Sequence, residues 1–280
     1  MKLQSKNLHI TNSDKLNYLI PREIPENSSP AIFLHGFTGS ASDWLPISKN
    51  LDERFYPVIP DLPGHGQTNV NSEYYSTSEQ LKLVTKLLNS LKIEKACFVG
   101  YSMGGRLALQ FAVNNPQMIK CLVLESSSPG IADDFERSKR IESDNKIIER
   151  IDKSTREEFL KFWLSLPIFQ SLVSNSKINL EEIIKSRSQT LNKNGLIESL
   201  TYFGTGVMPH YHDQLSSLDD IPLLLIAGEH DLKYREILKK LHSEIKSSSF
   251  FTINDAGHNT HLENPAEFIK LLNRFLVDNC

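Results

Sequence analysis

The pentapeptide Gly100-Tyr101-Ser102-Met103-Gly104 constrains the fold of this chain more than any other segment. It follows the apolar run Ala96-Cys97-Phe98-Val99 and precedes a helical pattern from Leu107 to Val113, so strand, turn and helix meet at one serine. A strand that turns directly into a helix brings the two backbones close to collision, and only small residues fit beside the turn. Gly100 and Gly104 supply that room, and Gly105 adds to it. The turn strains Ser102 and exposes its hydroxyl above the strands, at a helix N-terminus.

The surrounding pattern provides the sheet that such a turn needs. Short β-rich runs alternate with helical spacings, the rhythm of a mostly parallel sheet with crossover helices. The expected strands are Ala31 to Leu34, Tyr56 to Ile59, Ala96 to Val99, Cys121 to Leu124, Leu223 to Ala227 and Phe250 to Ile253. Asn7 to Thr11 and Leu16 to Ile20 read as an antiparallel hairpin at the sheet edge. Leu81, Val84, Leu87, Leu88 and Leu91 recur at helical spacing behind a Thr77…Gln80 capping box, and Asn264-Pro265 opens the last helix. Between Pro129 and about Leu215 the strand rhythm stops. Ile147, Ile148 and Ile151, then Phe159, Phe162, Trp163 and Leu166, keep helical spacings there. The expected organisation is an α/β core of residues 1–128 and 216–280, with residues 129–215 as an inserted helical lid.

Composition narrows the function classes. A length of 280 residues suits either two domains or one large α/β domain. With 31 Lys plus Arg against 34 Asp plus Glu, the formal charge of −3 argues against a nucleic-acid binder, which needs a basic face. No run approaches the roughly 18 apolar residues of a membrane span, and MKLQSKNLHI lacks the apolar core of a signal peptide. Three cysteines do not make a disulfide framework, so Cys97 and Cys121, in apolar runs, read as buried structural thiols. The expectation is a soluble cytoplasmic protein without a nucleic-acid or membrane partner.

A serine hydroxyl needs a neighbouring imidazole to take its proton, and the imidazole needs a carboxylate to orient it. In this architecture the chain order is serine, acid, histidine. Leu223 to Ala227 runs into Gly228-Glu229-His230-Asp231, and Phe250 to Ile253 runs into Asn254-Asp255-Ala256-Gly257-His258, each placing a candidate just past a strand end. Asp231 and His258 therefore complete the expected triad with Ser102. Glu229 and Asp255 sit closer to the strands and rank behind them, while His230 and His261 read as solvated loop residues. Backbone donors for a developing oxyanion are expected from Met103 and from Phe37 in the Gly36…Gly39 loop. His35, before Gly36, reads as a residue holding that loop, and Asp61-Leu62-Pro63-Gly64-His65-Gly66 as a fixed turn. His210 and His212 have no convincing third ligand, so no metal site is expected; nor is there a phosphate loop or dinucleotide fingerprint, so no cofactor is expected either.

Taken together, these pieces resemble the α/β-hydrolase superfamily over almost the whole chain. Within it, the runs FLHGFTGSASDW, DLPGHG, GYSMGGRLAL, LESSSPGI, GEHDLKY and AGHNTHLENP resemble the 2-succinyl-6-hydroxy-2,4-cyclohexadiene-1-carboxylate synthases, lyases of menaquinone biosynthesis. The discriminating marks are Arg106 after the elbow, Ser128-Pro129-Gly130 followed by Arg137 and Arg140, and Asp231-Leu232-Lys233-Tyr234. The resemblance extends into the insertion through Trp163 to Phe169 and Arg187. It implies removal of a proton α to a succinyl ketone and expulsion of pyruvate by 1,4-elimination from a substrate with three carboxylates. It also implies substrate contacts from Arg106, Arg140, Trp163, Arg187 and Lys233. The residues alone leave a second reading open, a carboxylester, thioester or C–C bond hydrolase that uses the same triad through an acyl-enzyme. Arg137 and Arg140, among Glu136 and Glu142, are also compatible with a solvated, ion-paired helix face.

Overall fold

The computed structural model describes residues 2–280; Met1 lies outside them. Eight strands form one sheet in the order β1-β2-β4-β3-β5-β6-β7-β8. They are β1 (Leu3–His9), β2 (Lys15–Pro21), β3 (Ser29–Leu34), β4 (Phe55–Pro60), β5 (Ala96–Tyr101), β6 (Ile119–Glu125), β7 (Leu223–Gly228) and β8 (Ser248–Ile253). β1 and β2 pair antiparallel, as do β2 and β4; the ladders from β4 through β8 are parallel. This is the expected mostly parallel sheet with an edge hairpin. β1 begins at Leu3, four positions ahead of the expected Asn7, and pairs with β2 along its whole length. Its Gln4, Ser5 and Lys6 belong to an edge that faces solvent, so no apolar run marks its beginning.

The inner strands read as continuous apolar runs because both faces of the sheet are covered. Alternate residues go to opposite sides. Leu34, Phe98, Leu122 and Leu225 pack on one face; Phe33, Val99, Val123 and Ile226 pack on the other. The covering helices, with their short companions, are α1 (Leu45–Ser48), α2 (Thr77–Ser90), α3 (Met103–Asn114), α9 (Leu232–Glu244), α10 (Thr260–Glu263) and α11 (Pro265–Asn279). α2 is capped one residue earlier than the sequence suggested: the Ser76 side chain accepts from the Glu79 N–H. Thr77 is inside the helix, so the capping-box reading is corrected by one position. α11 starts on Asn264 and Pro265 as expected.

Between β6 and β7 the described chain is helical, with α4 (Asp134–Lys153), α5 (Arg156–Leu164), α6 (Gln170–Ser174), α7 (Leu180–Thr190) and α8 (Lys193–Phe203). These helices have a hydrophobic cluster of their own, centred on Ile151, Phe159, Leu160, Leu164 and Leu196. A reciprocal Thr155–Glu158 capping box starts α5. Cys121, expected as a free thiol, is joined instead to Cys280, which fastens the end of α11 to β6. Their separation of 159 positions hid the pairing from a reading by local runs. Cys97 is a buried thiol, and burial pushes its pKa up to about 12.

Candidate active site

The β5–α3 turn places Ser102 as the sequence required. Its φ of 50° lies in the left-handed region, costly for a residue with a Cβ. The turn is held from outside: the Ser102 N–H donates to the Glu125 carbonyl at 2.9 Å, and Ser127 Oγ donates to the Ser102 carbonyl at 3.1 Å. A Cβ on Gly100 would meet the Gly104 carbonyl and Gly105 Cα at 2.6 Å, and one on Gly104 would run into the Leu34 carbonyl. Both glycines are therefore fixed by contact.

Asp231 and His258 converge on this serine from the ends of β7 and β8. His258 Nδ1 lies 2.7 Å from Asp231 Oδ2, and His258 Nε2 lies 3.1 Å from Ser102 Oγ. A carboxylate only accepts, so the Nδ1 proton points at Asp231 and Nε2 is left to take the serine proton. Asp231 also caps α9, its Oδ1 accepting from the Tyr234 N–H at 3.4 Å. The imidazole is packed by Tyr234, Tyr101 and Phe169. Glu229 accepts from the Asp255 N–H, and both are exposed, as is His230.

His261 departs from its expectation as a solvated residue. It is buried, its ring stacks on Trp44 at 4.1 Å, and its Nδ1 sits 2.7 Å from Glu125 Oε2. Glu125 Oε1 also accepts from the Thr260 hydroxyl at 2.7 Å and the His261 N–H at 3.0 Å. One fully buried residue thus holds Ser102 through its carbonyl and the segment just after His258 through its carboxylate. The signal was present as a carboxylate closing the apolar run Cys121-Leu122-Val123-Leu124, but its partner lies 136 positions away.

The neighbouring loop is equally fixed. His35 Nδ1 lies 2.8 Å from the Gly36 carbonyl, and its Nε2 accepts from the Leu62 N–H at 3.0 Å, the loop-holding contacts expected of it. Asp61 accepts from Asn17 Nδ2 and from the N–H groups of Ala41 and Gln67. Burial drives the His65 imidazole down to about 3, so it is neutral. Neither the Phe37 N–H nor the Met103 N–H has an acceptor among the described residues.

A cavity of about 300 Å³ opens over Ser102 and is lined by Phe37, Met103, Arg106, Arg140, Trp163, Lys233 and His258. Arg106 is buried with an unpartnered Nε, and burial lowers its pKa to about 10. A buried guanidinium edge without an acceptor is costly unless an anion reaches it. Arg140 Nε holds Asp144 Oδ1 at 2.8 Å; burial raises the Asp144 carboxyl against the pull of Arg140. Trp163 packs edge-on against Phe37 at 5.1 Å. The spacing analysis missed Ser199 and Phe169 at this cavity and Asp144 as the partner of Arg140, because each arrives on an element whose docking no local pattern encodes.

Arg187 is the exception. Its Nη2 bonds Asp43 Oδ2 at 2.9 Å and its Nη1 reaches Thr38 Oγ1 at 3.4 Å, in a separate cavity of about 590 Å³ behind the Phe37 loop. The expectation that it lines the serine cavity is corrected: an available carboxylate, Asp43, holds it on the far side of that loop. Arg137 likewise turns to the Gly206 carbonyl. Two groups of potential metal donors occur among the described residues, Cys97 with the joined Cys121 and Cys280, and the exposed Glu229, His230 and Asp255. Neither group lines the serine cavity.

Fold and site define an α/β hydrolase, and the family model of that fold matches residues 30–265. Within this class the chain belongs to the family of 2-succinyl-6-hydroxy-2,4-cyclohexadiene-1-carboxylate synthases. It is 32% identical to the enzyme of that name from Enterobacter sp. (strain 638) over 88% of this chain and 90% of that one. Identity reaches 37%, over 96% and 98% of the two chains, with a Bacillus subtilis (strain 168) protein that carries the same name provisionally. The solved structure of MenH from S. aureus superposes with a TM-score of 0.87 at 29% identity, covering 94% of this chain and 98% of that one.

Proposed function

We propose that this chain eliminates pyruvate from 2-succinyl-5-enolpyruvyl-6-hydroxy-3-cyclohexene-1-carboxylate to give 2-succinyl-6-hydroxy-2,4-cyclohexadiene-1-carboxylate, a step of menaquinone biosynthesis. The observation that carries this reading beyond a generic hydrolase is the buried, unpartnered Arg106 beside Arg140 and Lys233 in the cavity over Ser102. A neutral ester gives those cations nothing to bind, whereas a substrate with three carboxylates does.

In this reading His258, oriented by Asp231, takes the Ser102 proton, and the serine oxygen removes the proton α to the succinyl ketone. The electron pair of that C–H bond forms a ring double bond and the existing one shifts by one position. The carbon–oxygen bond to the enolpyruvyl group breaks with its electrons on oxygen. Protonation of the released enolate at its methylene carbon, by the proton that His258 took from Ser102, yields pyruvate. The Phe37 and Met103 amides stabilise the oxyanion that develops on the succinyl ketone. Arg106, Arg140 and Lys233 hold carboxylates and Trp163 walls the pocket. Arg187 acts through Thr38 and Asp43 on the loop that carries Phe37.

Residues 129–215 serve as the lid, and residues 1–128 and 216–280 as the core. No described helix is long and apolar enough to cross a membrane. The proposed setting is the cytoplasm, with a small water-borne polycarboxylate as partner and without nucleic-acid or membrane contacts. The test is to supply the enolpyruvyl cyclohexene and follow pyruvate and diene absorbance together, with Ser102→Ala as control. Stoichiometric appearance of both, absent from the variant, is expected. A folded chain that releases no pyruvate but forms an acyl-enzyme with activated esters would establish the hydrolase reading instead.

A further inference from the structure

A second chamber, of about 240 Å³, adjoins the serine cavity, and Arg140, Lys233 and Tyr234 line both. Pro129, Ile131, Ile237 and Leu241 make its remaining wall largely apolar. Lys240 and His212 add further nitrogen groups, and Glu244, 3.9 Å from Lys240, is its one carboxylate. Thr205 also lines it; this residue is buried and its hydroxyl has no partner. Lys233 itself has no carboxylate partner among the described residues.

The size and lining of this space suit a small anion. At about 240 Å³ it lies just below the roughly 300–1,000 Å³ of pockets that enclose drug-sized ligands, and a three-carbon 2-oxo acid fits within it. Its carboxylate matches the Arg140–Lys233 side and its methyl group the aliphatic wall.

Resting on the pyruvate-elimination reading, we propose that this chamber receives the expelled 2-oxo acid, so that pyruvate passes between Arg140 and Lys233 while the diene remains over Ser102. Separation of the two products also removes the leaving group from the carbon that it could attack in reverse. Arg140, held by Asp144 on one side, faces both spaces and forms part of the partition.

The test titrates sodium pyruvate into the resting chain and reads saturation transfer to the pyruvate methyl protons. The purified diene is titrated separately through quenching of tryptophan fluorescence. Two variants alter the chamber outside the serine cavity: Ile237→Trp fills it and Lys240→Glu reverses a charge on its wall. Both are expected to weaken pyruvate binding at least tenfold and to leave diene affinity within about twofold. Unchanged pyruvate affinity in both folded variants would overturn the proposal, as would equal loss of diene binding or the absence of saturable pyruvate binding to the parent chain. These titrations need no turnover. Failure of the elimination reading shows separately, as absence of pyruvate release from the enolpyruvyl substrate.

Discussion

The sheet floor and the helical insertion solve different problems. On the floor, Ser102, Asp231 and His258 sit on turns whose geometry is over-determined: glycine contacts, the Glu125 carbonyl and a caged carboxylate leave one arrangement. In the insertion, functional side chains depend on individual partners. Arg140 leans on Asp144 and faces the serine, whereas Arg187, equally basic and also on an insertion helix, is captured by Asp43 and faces elsewhere. The comparison indicates that the triad geometry is rigid by construction, while the basic side chains of the insertion are placed by a few contacts that could redirect them.

The sharpest break between the regions is kinetic. Ser102→Ala or His258→Ala should lower turnover by about a thousandfold or more with diene affinity nearly unchanged, measured by pyruvate release and a binding titration. An unchanged maximal rate would remove the residue from the mechanism. Next, Glu125→Ala should cost about 3 kcal/mol in a denaturant titration, because it strips the partner from buried His261 and leaves the Thr260 hydroxyl unpaired. Glu125→Gln should recover part of the loss. Equal stability for all three chains would mean that the floor is held by its glycines and backbone alone.

The floor should also carry an acid-sensitive element in a buried histidine, His65. His65 is neutral in the fold because burial lowers its pKa from 6.5 to about 3. The unfolded chain binds the proton first, so His65 contributes stability above about pH 6.5 that is lost as pH falls toward 3. His65→Gln should therefore flatten stability against pH in that window by up to about 1.4 kcal/mol per unit, in denaturant titrations at several pH values. A parallel offset at all pH values would show that His65 does not titrate as described.

Smaller effects divide the insertion itself. Arg140→Ala should raise KM about tenfold with little change in kcat, and Arg140→Lys should restore it only partly because the planar fork is lost. Arg187→Ala should leave KM within about twofold and reduce stability by about 1 kcal/mol, the scale of a partly exposed ion pair. If the two arginines behave alike, the distinction between them fails.

The same contrast explains what was legible in the sequence. The Ser102 turn, the strand ends before Asp231 and His258, and the parallel core are written in adjacent residues, through glycine placement and apolar runs. Arg187 and His261 were misread because their environments depend on distant acceptors, Asp43 and Glu125, that no spacing along the chain predicts. Cys121 fails for the same reason, its partner being the last residue. Arg140, Trp163 and Lys233 reach the cavity, but only the family resemblance singled them out; helical periodicity alone makes Arg140 a surface residue.

Glu125 closes β6, the last strand before the chain leaves for the insertion, and the chain re-enters the sheet at β7. The hydrogen bonds that join Ser102, Glu125 and the His258–His261 segment therefore run entirely between elements on the two sides of the excursion, and none passes through it. This makes the insertion a graftable module. Helices exchanged between Ser128 and Leu215 would leave these hydrogen bonds in place and replace the Phe169 packing on His258, so a library of transplanted helices could be screened for new substrates on the proposed triad.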